Sequence, residues 1–314
     1  MKKLLTFGAL VAVIGMLLTA PMALAQEDNL IATNEVSETS GESGLLISPV
    51  INEINLDPGK TYEGTVRVTN ISDQKVNVTV TAKDFYAKDE TGQPGYYDDN
   101  ETSLWGLASW ISTISPFELA VNETKEITYV IMAPENATPG GHYAAILFSP
   151  SVEEEGQVST KGLIGPLILA NISGDVLLSG SVSEFLTDKG MYSYDPVDFS
   201  TKIQNIGNTH FKPTGTIAIK NMFGAEVETL VVNETMSNVL PDQIRAFENS
   251  WDTNGRFGWY KAELSLNYGG PVALTATTTF FIIPWKETVI GLVVLILIIW
   301  LIVAATKKKQ PVNQ

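Results

Sequence analysis

The sequence predicts an all-β protein in which two antiparallel β-sandwiches follow one another. Three observations support this. Apolar residues recur with a period of two over most of the chain, Gly, Pro, Asn and Asp cluster between these runs, and the interior shows no helical spacing. One long apolar run stands apart near the C-terminal end.

Met1, Lys2 and Lys3 precede an apolar stretch that ends in the small-residue triplet Ala23, Leu24, Ala25. This order of basic, apolar and A-x-A segments predicts a secretory signal peptide over 1–25, cleaved between Ala25 and Gln26. Residues 26–44 are rich in Glu, Ser, Thr and Asn, which predicts a disordered spacer.

From residue 45 the alternation begins. Val66 and Val68 share one face, as do Val76, Val78 and Val80, and Ile127, Tyr129 and Ile131. The apolar run GLIGPLILANISG (162–174) predicts an internal strand that closes a first domain over 45–186. A second domain is expected over 187–284, with inward residues Phe199, Thr201 and Ile203, Ile217 and Ile219, Tyr260 to Tyr268 at every second position, and Leu274 to Ile282 likewise. The segments VRVTNISDQKVNVTV and TKIQNIGNTHFKPTGTIAI echo each other, each a strand ending in Asn, a turn and a second strand. Tandem immunoglobulin-like sandwiches produce such an echo.

The run TVIGLVVLILIIWLIVAA (288–305) has 18 residues without a charge, long enough to cross about 30 Å of hydrocarbon as a helix. With Trp285 before it and Lys307, Lys308 and Lys309 after it, it predicts one transmembrane helix over 285–306. The basic tail, 307–314, is then cytoplasmic and the bulk of the chain extracellular, a single-pass type I arrangement.

The chain carries 20 Lys and Arg against 35 Asp and Glu, for a net charge of −15, and six of the basic residues flank the apolar ends. The part between is more acidic still, which argues against nucleic acid as a partner. With no Cys and two His, thiol catalysis, thiolate metal sites and His-rich sites are excluded. No G-x-S-x-G, H-E-x-x-H, phosphate-binding or dinucleotide-binding pattern occurs, so no enzyme and no cofactor are expected.

His142 follows the turn ATPGG, in which Pro139 presets φ and Gly140 or Gly141 supplies a positive φ. It is read as the polar first residue of a strand, and His210, after NIGNT, likewise has no partner near it in sequence. The most unusual segment is residues 84–110, a long acidic loop with six aromatic residues. Tyr96, Tyr97 and Trp105 are its candidate ligand-binding residues, while Trp110 is assigned to the core. Asp98, Asp99 and Glu101 form a weak Ca²⁺ candidate that lacks the EF-hand spacing, so no metal site is assigned.

The series 47–85 and 108–148 includes the Pro58-Gly59 turn, a strand ending in Asn70, a Glu-bearing turn before Ile127 and the P-x-x-A-x-P-G-G corner at 134–141. It resembles the first domain of the WxL-interacting protein family of bacterial cell surfaces. NIGNTHFKPTGTIAIKNMFG (205–224) resembles that family's second domain. The resemblance implies peptidoglycan binding by the first domain and partner-protein binding by the second. The expected function is therefore that of a membrane-anchored, non-enzymatic scaffold on the bacterial surface, which binds peptidoglycan, other surface proteins or both. The alternative is a membrane-tethered, chaperone-like assembly factor, followed by an accessory module beside a hydrolase.

Overall fold

The computed structural model describes residues 39–40, 44–98, 101, 103–154, 157–160, 162–253 and 255–307. The expected cleavage site at Ala25 and Gln26, and Lys308 and Lys309 of the tail, lie outside the described residues. The chain is all-β with one C-terminal helix, and its strands form two Ig-like sandwiches.

In the first sandwich one sheet has the order β1 (Thr39–Ser40), β2 (Leu45–Ser48), β4 (Thr61–Asn70), β8 (Thr124–Met132). The facing sheet runs β3 (Ile51–Leu56), β11 (Leu167–Ile172), β9 (Gly140–Glu154), β5 (Val76–Ala87), β6 (Pro94–Tyr96), with β10 (Gln157–Thr160) on β9 and β7 (Phe117–Leu119) on β5. β11 is internal as expected, antiparallel to β9 and parallel to β3 along all its length. The expected spacer is corrected at its end, because Thr39 and Ser40 pair with Ile47 and Leu46.

The alternating residues fill the space between the sheets. Val66, Val68, Val76, Val78, Ile127, Tyr129 and Ile131 are all buried in one cluster with Ile146 and Phe148 of β9. Each such side chain contributes about 1.5–3 kcal/mol on burial. A one-residue slip of β4 would turn Val66 and Val68 to solvent, so the pattern itself fixes the register.

The second sandwich packs β12 (Gly180–Thr187), β14 (Val197–Asn205) and β17 (Ile244–Trp251) against a sheet of order β13 (Met191–Tyr192), β19 (Leu274–Ile282), β18 (Gly258–Asn267), β15 (Thr214–Asn221), β16 (Glu226–Val232). β13 is parallel to β19 as β3 is to β11, so the two sandwiches share a topology. The expected boundary between 186 and 187 is corrected: β12 pairs with β14, so the linker falls at 173–179. Phe199, Ile203, Ile217, Ile219, Tyr260, Leu264 and Phe280 make its core.

The echo seen in the sequence has a geometric cause. Asn70 closes β4 by donating from Nδ2 to the carbonyls of Gln74, Leu119 and Ala120 while Oδ1 accepts from Ser72 N. Asn205 closes β14 in the same way, donating to Thr209 O and Val239 O and accepting from Gly207 N. Both amides are fully buried, so every one of these bonds replaces a lost bond to water.

The helix α1 (Trp285–Lys307) follows β19 after two residues. Its stretch Trp285–Ala304 is long and apolar enough to cross a membrane, and none of it is buried against the sandwiches.

Candidate functional site

The two segments singled out from the sequence, the acidic aromatic loop and the P-x-x-A-x-P-G-G corner, meet at one cleft. It has a volume of about 580 Å³, and Tyr97, Asp98, Glu101, Trp110, Asn136 and His142 are among the residues that line it. The loop is tied down by Asp84 at the end of β5, whose Oδ1 accepts from Leu107 N at 2.8 Å and Ala108 N at 2.7 Å. A Cβ at Gly106 would lie 2.3 Å from Asp84 Oδ2, so a side chain there would have to displace this carboxylate from its position.

His142 fastens loop to corner. It is 3% exposed, Nδ1 faces Gly106 O at 3.0 Å, and Nε2 faces Thr138 O at 2.9 Å and Thr138 Oγ1 at 3.2 Å. The Trp110 ring lies 4.5 Å from it, centroid to centroid. Both ring nitrogens are therefore engaged, and the histidine positions the cleft walls. Its neighbours supply hydroxyl, amide and aromatic surface, with Asp98 and Glu101 exposed at the rim. A polar cleft of this kind suits a hydroxyl-rich ligand with apolar ring faces.

Of the three candidate binding residues, only Tyr97 lines the cleft. Tyr96 stands opposite Phe85 in the β5–β6 ladder and so shares its inward face. Tyr96 and Trp105 pack on an apolar cluster of Phe85, Tyr143 and Leu169 from the first sandwich and Leu240 from the second. The reason is alternation: of two adjacent tyrosines on a strand end, one turns in and the next turns out. Tyr97 rests edge-on against Tyr86 at 4.9 Å. Trp110, assigned to the core, does pack on it, but it is half-buried and also forms a wall of the cleft. Asp99 lies outside the described residues. Asp98 and Glu101 close a turn on one another, the Glu101 carboxylate accepting from Asp98 N at 3.1 Å. Among the described residues no group of three or more His, Asp or Glu is placed to hold a metal ion.

Behind the cleft the two sandwiches join, and the glycine corner belongs to this joint. Gly141 N donates to Asn208 O at 2.7 Å, and Gly140, at φ +117°, would bring a Cβ to 2.3 Å from the same oxygen. Tyr143, next along β9, bonds through its hydroxyl to His210 Nδ1 at 3.2 Å. Burial pushes the Tyr143 phenol far up and holds His210 down at about 4, so the bond joins two neutral groups. Beside them Glu53 of β3 accepts from Lys212 at 2.8 Å and from Asn238 at 2.6 Å. Burial raises the Glu53 carboxyl, but these two bonds and the Lys212 charge outweigh it and leave it below its usual value. On the other side, Glu90 pairs with Lys202 at 2.9 Å and its carbonyl accepts from Ala246 N at 2.7 Å. These partners lie from 67 to 185 residues apart, so no local pattern announces them.

No protein-family model matches the chain, and no curated protein matches it. Among solved structures it is similar to the class 5 fimbriae chaperone CfaA, at 16% identity and a TM-score of 0.38 over 75% of this chain and 98% of that one. It is also similar to the E. coli chaperone DraB, at 12% identity and a TM-score of 0.31 over 76% and 94% of the two chains. The chaperone–tip adhesion subunit pre-assembly complex CsuC–CsuE of Acinetobacter baumannii follows at 11% identity and 0.34 over 65% and 89%. At these identities and scores the likeness assigns neither ligand nor partner to this chain, whose site is read from its own residues.

Proposed function

We propose that this chain is a single-pass, non-enzymatic binding protein of the bacterial cell surface, exported by its signal peptide and anchored by α1 with the basic tail in the cytoplasm. Its first sandwich binds cell-wall peptidoglycan through the cleft, and its second engages a surface protein, in the manner of the WxL-interacting family. The observation that supports this most is the meeting of Tyr97, Trp110, Asp98 and Glu101 at one polar cleft on the sandwich farther along the chain from α1. Aromatic faces stack on sugar rings while carboxylates and amides accept and donate to hydroxyls, and this recognition needs no catalytic group.

Co-sedimentation of the full chain in detergent with purified peptidoglycan, at low and moderate salt, tests the reading. The wild type is expected to sediment in both salts, and Tyr97→Ala is expected to weaken binding roughly tenfold, about 1.4 kcal/mol. Failure of the wild type to sediment overturns it.

A second reading, a membrane-tethered assembly factor that captures partner strands, is favoured by the strand edges. β3 covers the outer edge of β11 over its whole length and Ser112 bonds β8 at Val130, whereas β16 ends its sheet. Such edges accept an added strand. Binding of extended peptides, blocked by proline substitutions in β16, would support this reading over the first.

A further inference from the structure

The second sandwich has two ends, and they differ. Its 206–213 and 233–243 turns face the first sandwich, where Asn208, His210, Lys212 and Asn238 make the joint. At the other end β19 runs into α1. Register shows which further segments share that end: Gly258 lies opposite Ile282, Asn221 opposite Tyr260, Val197 opposite Trp251, and Met191 opposite Phe281. The hairpin tip 222–224 and residues 252, 253 and 255–257 therefore stand at the level of residues 282–283.

Among the described residues, every exposed aromatic side chain of the second sandwich lies at this end: Tyr194, Phe223, Phe257 and Trp259. Phe223 is 85% exposed, and Met222 beside it and Met191 are exposed too. The tip that presents Phe223 is closed by Asn221, whose Oδ1 accepts from Phe223 N at 2.9 Å and Ala225 N at 3.1 Å. Met191, Phe281 and Trp259 are neighbours across three strands and so share one outward face, with Phe257 and Trp259 both edge-on to Phe281 at about 6 Å. The start of α1 is held to the same end: Lys286 N donates to the Tyr194 hydroxyl at 3.0 Å, and that hydroxyl bonds the Glu287 carboxylate.

We propose that this end of the second sandwich is a membrane-seating surface, with Phe223 and Phe257 in the headgroup layer of the bilayer that α1 spans. The inference rests on the reading of α1 as a span. Residue 283 is two residues from Trp285, at most about 7 Å along an extended chain, which is one headgroup layer. With 23 residues α1 is about 35 Å long, enough for the hydrocarbon, so Trp285 stands at its boundary. Exposed Phe, Trp and Met on a soluble face are costly, whereas Trp, Tyr and Phe at the interface find apolar chains below and water above. The bilayer is the occupant that the attachment of α1 brings to this end in every molecule.

The chain has no Cys, so single labels are unique. Full-length Phe223→Cys, Phe257→Cys, Val272→Cys and Leu295→Cys, each carrying an environment-sensitive fluorophore, are reconstituted in phosphatidylcholine–phosphatidylglycerol vesicles with lipids spin-labelled at shallow or deep positions. Val272 is exposed at the opposite end of the sandwich and Leu295 lies mid-helix. The expected result is quenching of 295 by deep labels, of 223 and 257 by shallow labels, and no quenching of 272. Quenching at 295 with 223 and 257 as bright as 272 overturns the seating surface and leaves the span intact. Loss of quenching at 295 overturns the span, and the seating surface with it.

Discussion

Asn70 and Asn205 show how one residue type closes each sandwich. Each amide ties together carbonyls from two different segments, and Ala would remove all of these bonds at once. Asn70→Ala and Asn205→Ala are each expected to cost about 2–4 kcal/mol, from several hydrogen bonds lost at about 0.5–1.5 kcal/mol apiece. Chemical denaturation that moves the midpoint by less than about 1 kcal/mol would mean that water replaces the amide. Gly140 makes a different demand, since its positive φ and the carbonyl of Asn208 leave no room for a side chain. Gly140→Ala is expected to loosen the joint while each core stays folded, seen as new proteolytic cleavage within 173–179 and unchanged core amide protection. Intact resistance to the protease would count against it.

Among the elements, the 84–110 loop divides its aromatic residues between two tasks. Tyr96→Ala and Trp105→Ala remove packing under the joint and are expected to lower the melting temperature, each by about 1–3 kcal/mol of stability. Tyr97→Ala is expected to leave the melting curve within about 0.5 kcal/mol. Equal melting shifts for all three would refute this division. The strands themselves were legible wherever alternation was clean, as at Val66 and Val68 or Tyr260 to Leu266. β12 was not, because a bulge between Val182 and Glu184 breaks its period and leaves Phe185 as its one fully buried residue. The cleft was half legible: composition marked its loop and turn chemistry marked its corner. That they meet through His142 depends on a contact between residues 36 apart, while Tyr96 turns away by alternation opposite Phe85.

On the scale of the whole molecule, the joint is acid-sensitive, and its sign follows from His210. The folded chain holds this ring neutral down to about pH 4, while the unfolded chain protonates it near its ordinary 6.5. Stability from this group is therefore full above pH 6.5 and falls as the pH drops toward 4. Glu53, held below its usual value, adds a loss in the same direction below about pH 4.5. Between pH 7 and pH 5 the His210 contribution comes to about 2 kcal/mol, or roughly 4–8 °C in melting temperature. His210→Gln should melt with a correspondingly flatter pH profile, and equal slopes would remove His210 as the cause. The shared topology has one more consequence, a mechanical one. The chain enters the second sandwich at Gly180, on the end facing the first sandwich, and leaves it at Ile282, where β19 meets α1. Under the proposed function, a ligand held by the first sandwich pulls against α1 along the strands, and the nine residue pairs between β18 and β19 resist that tension in shear, together, instead of being peeled one after another.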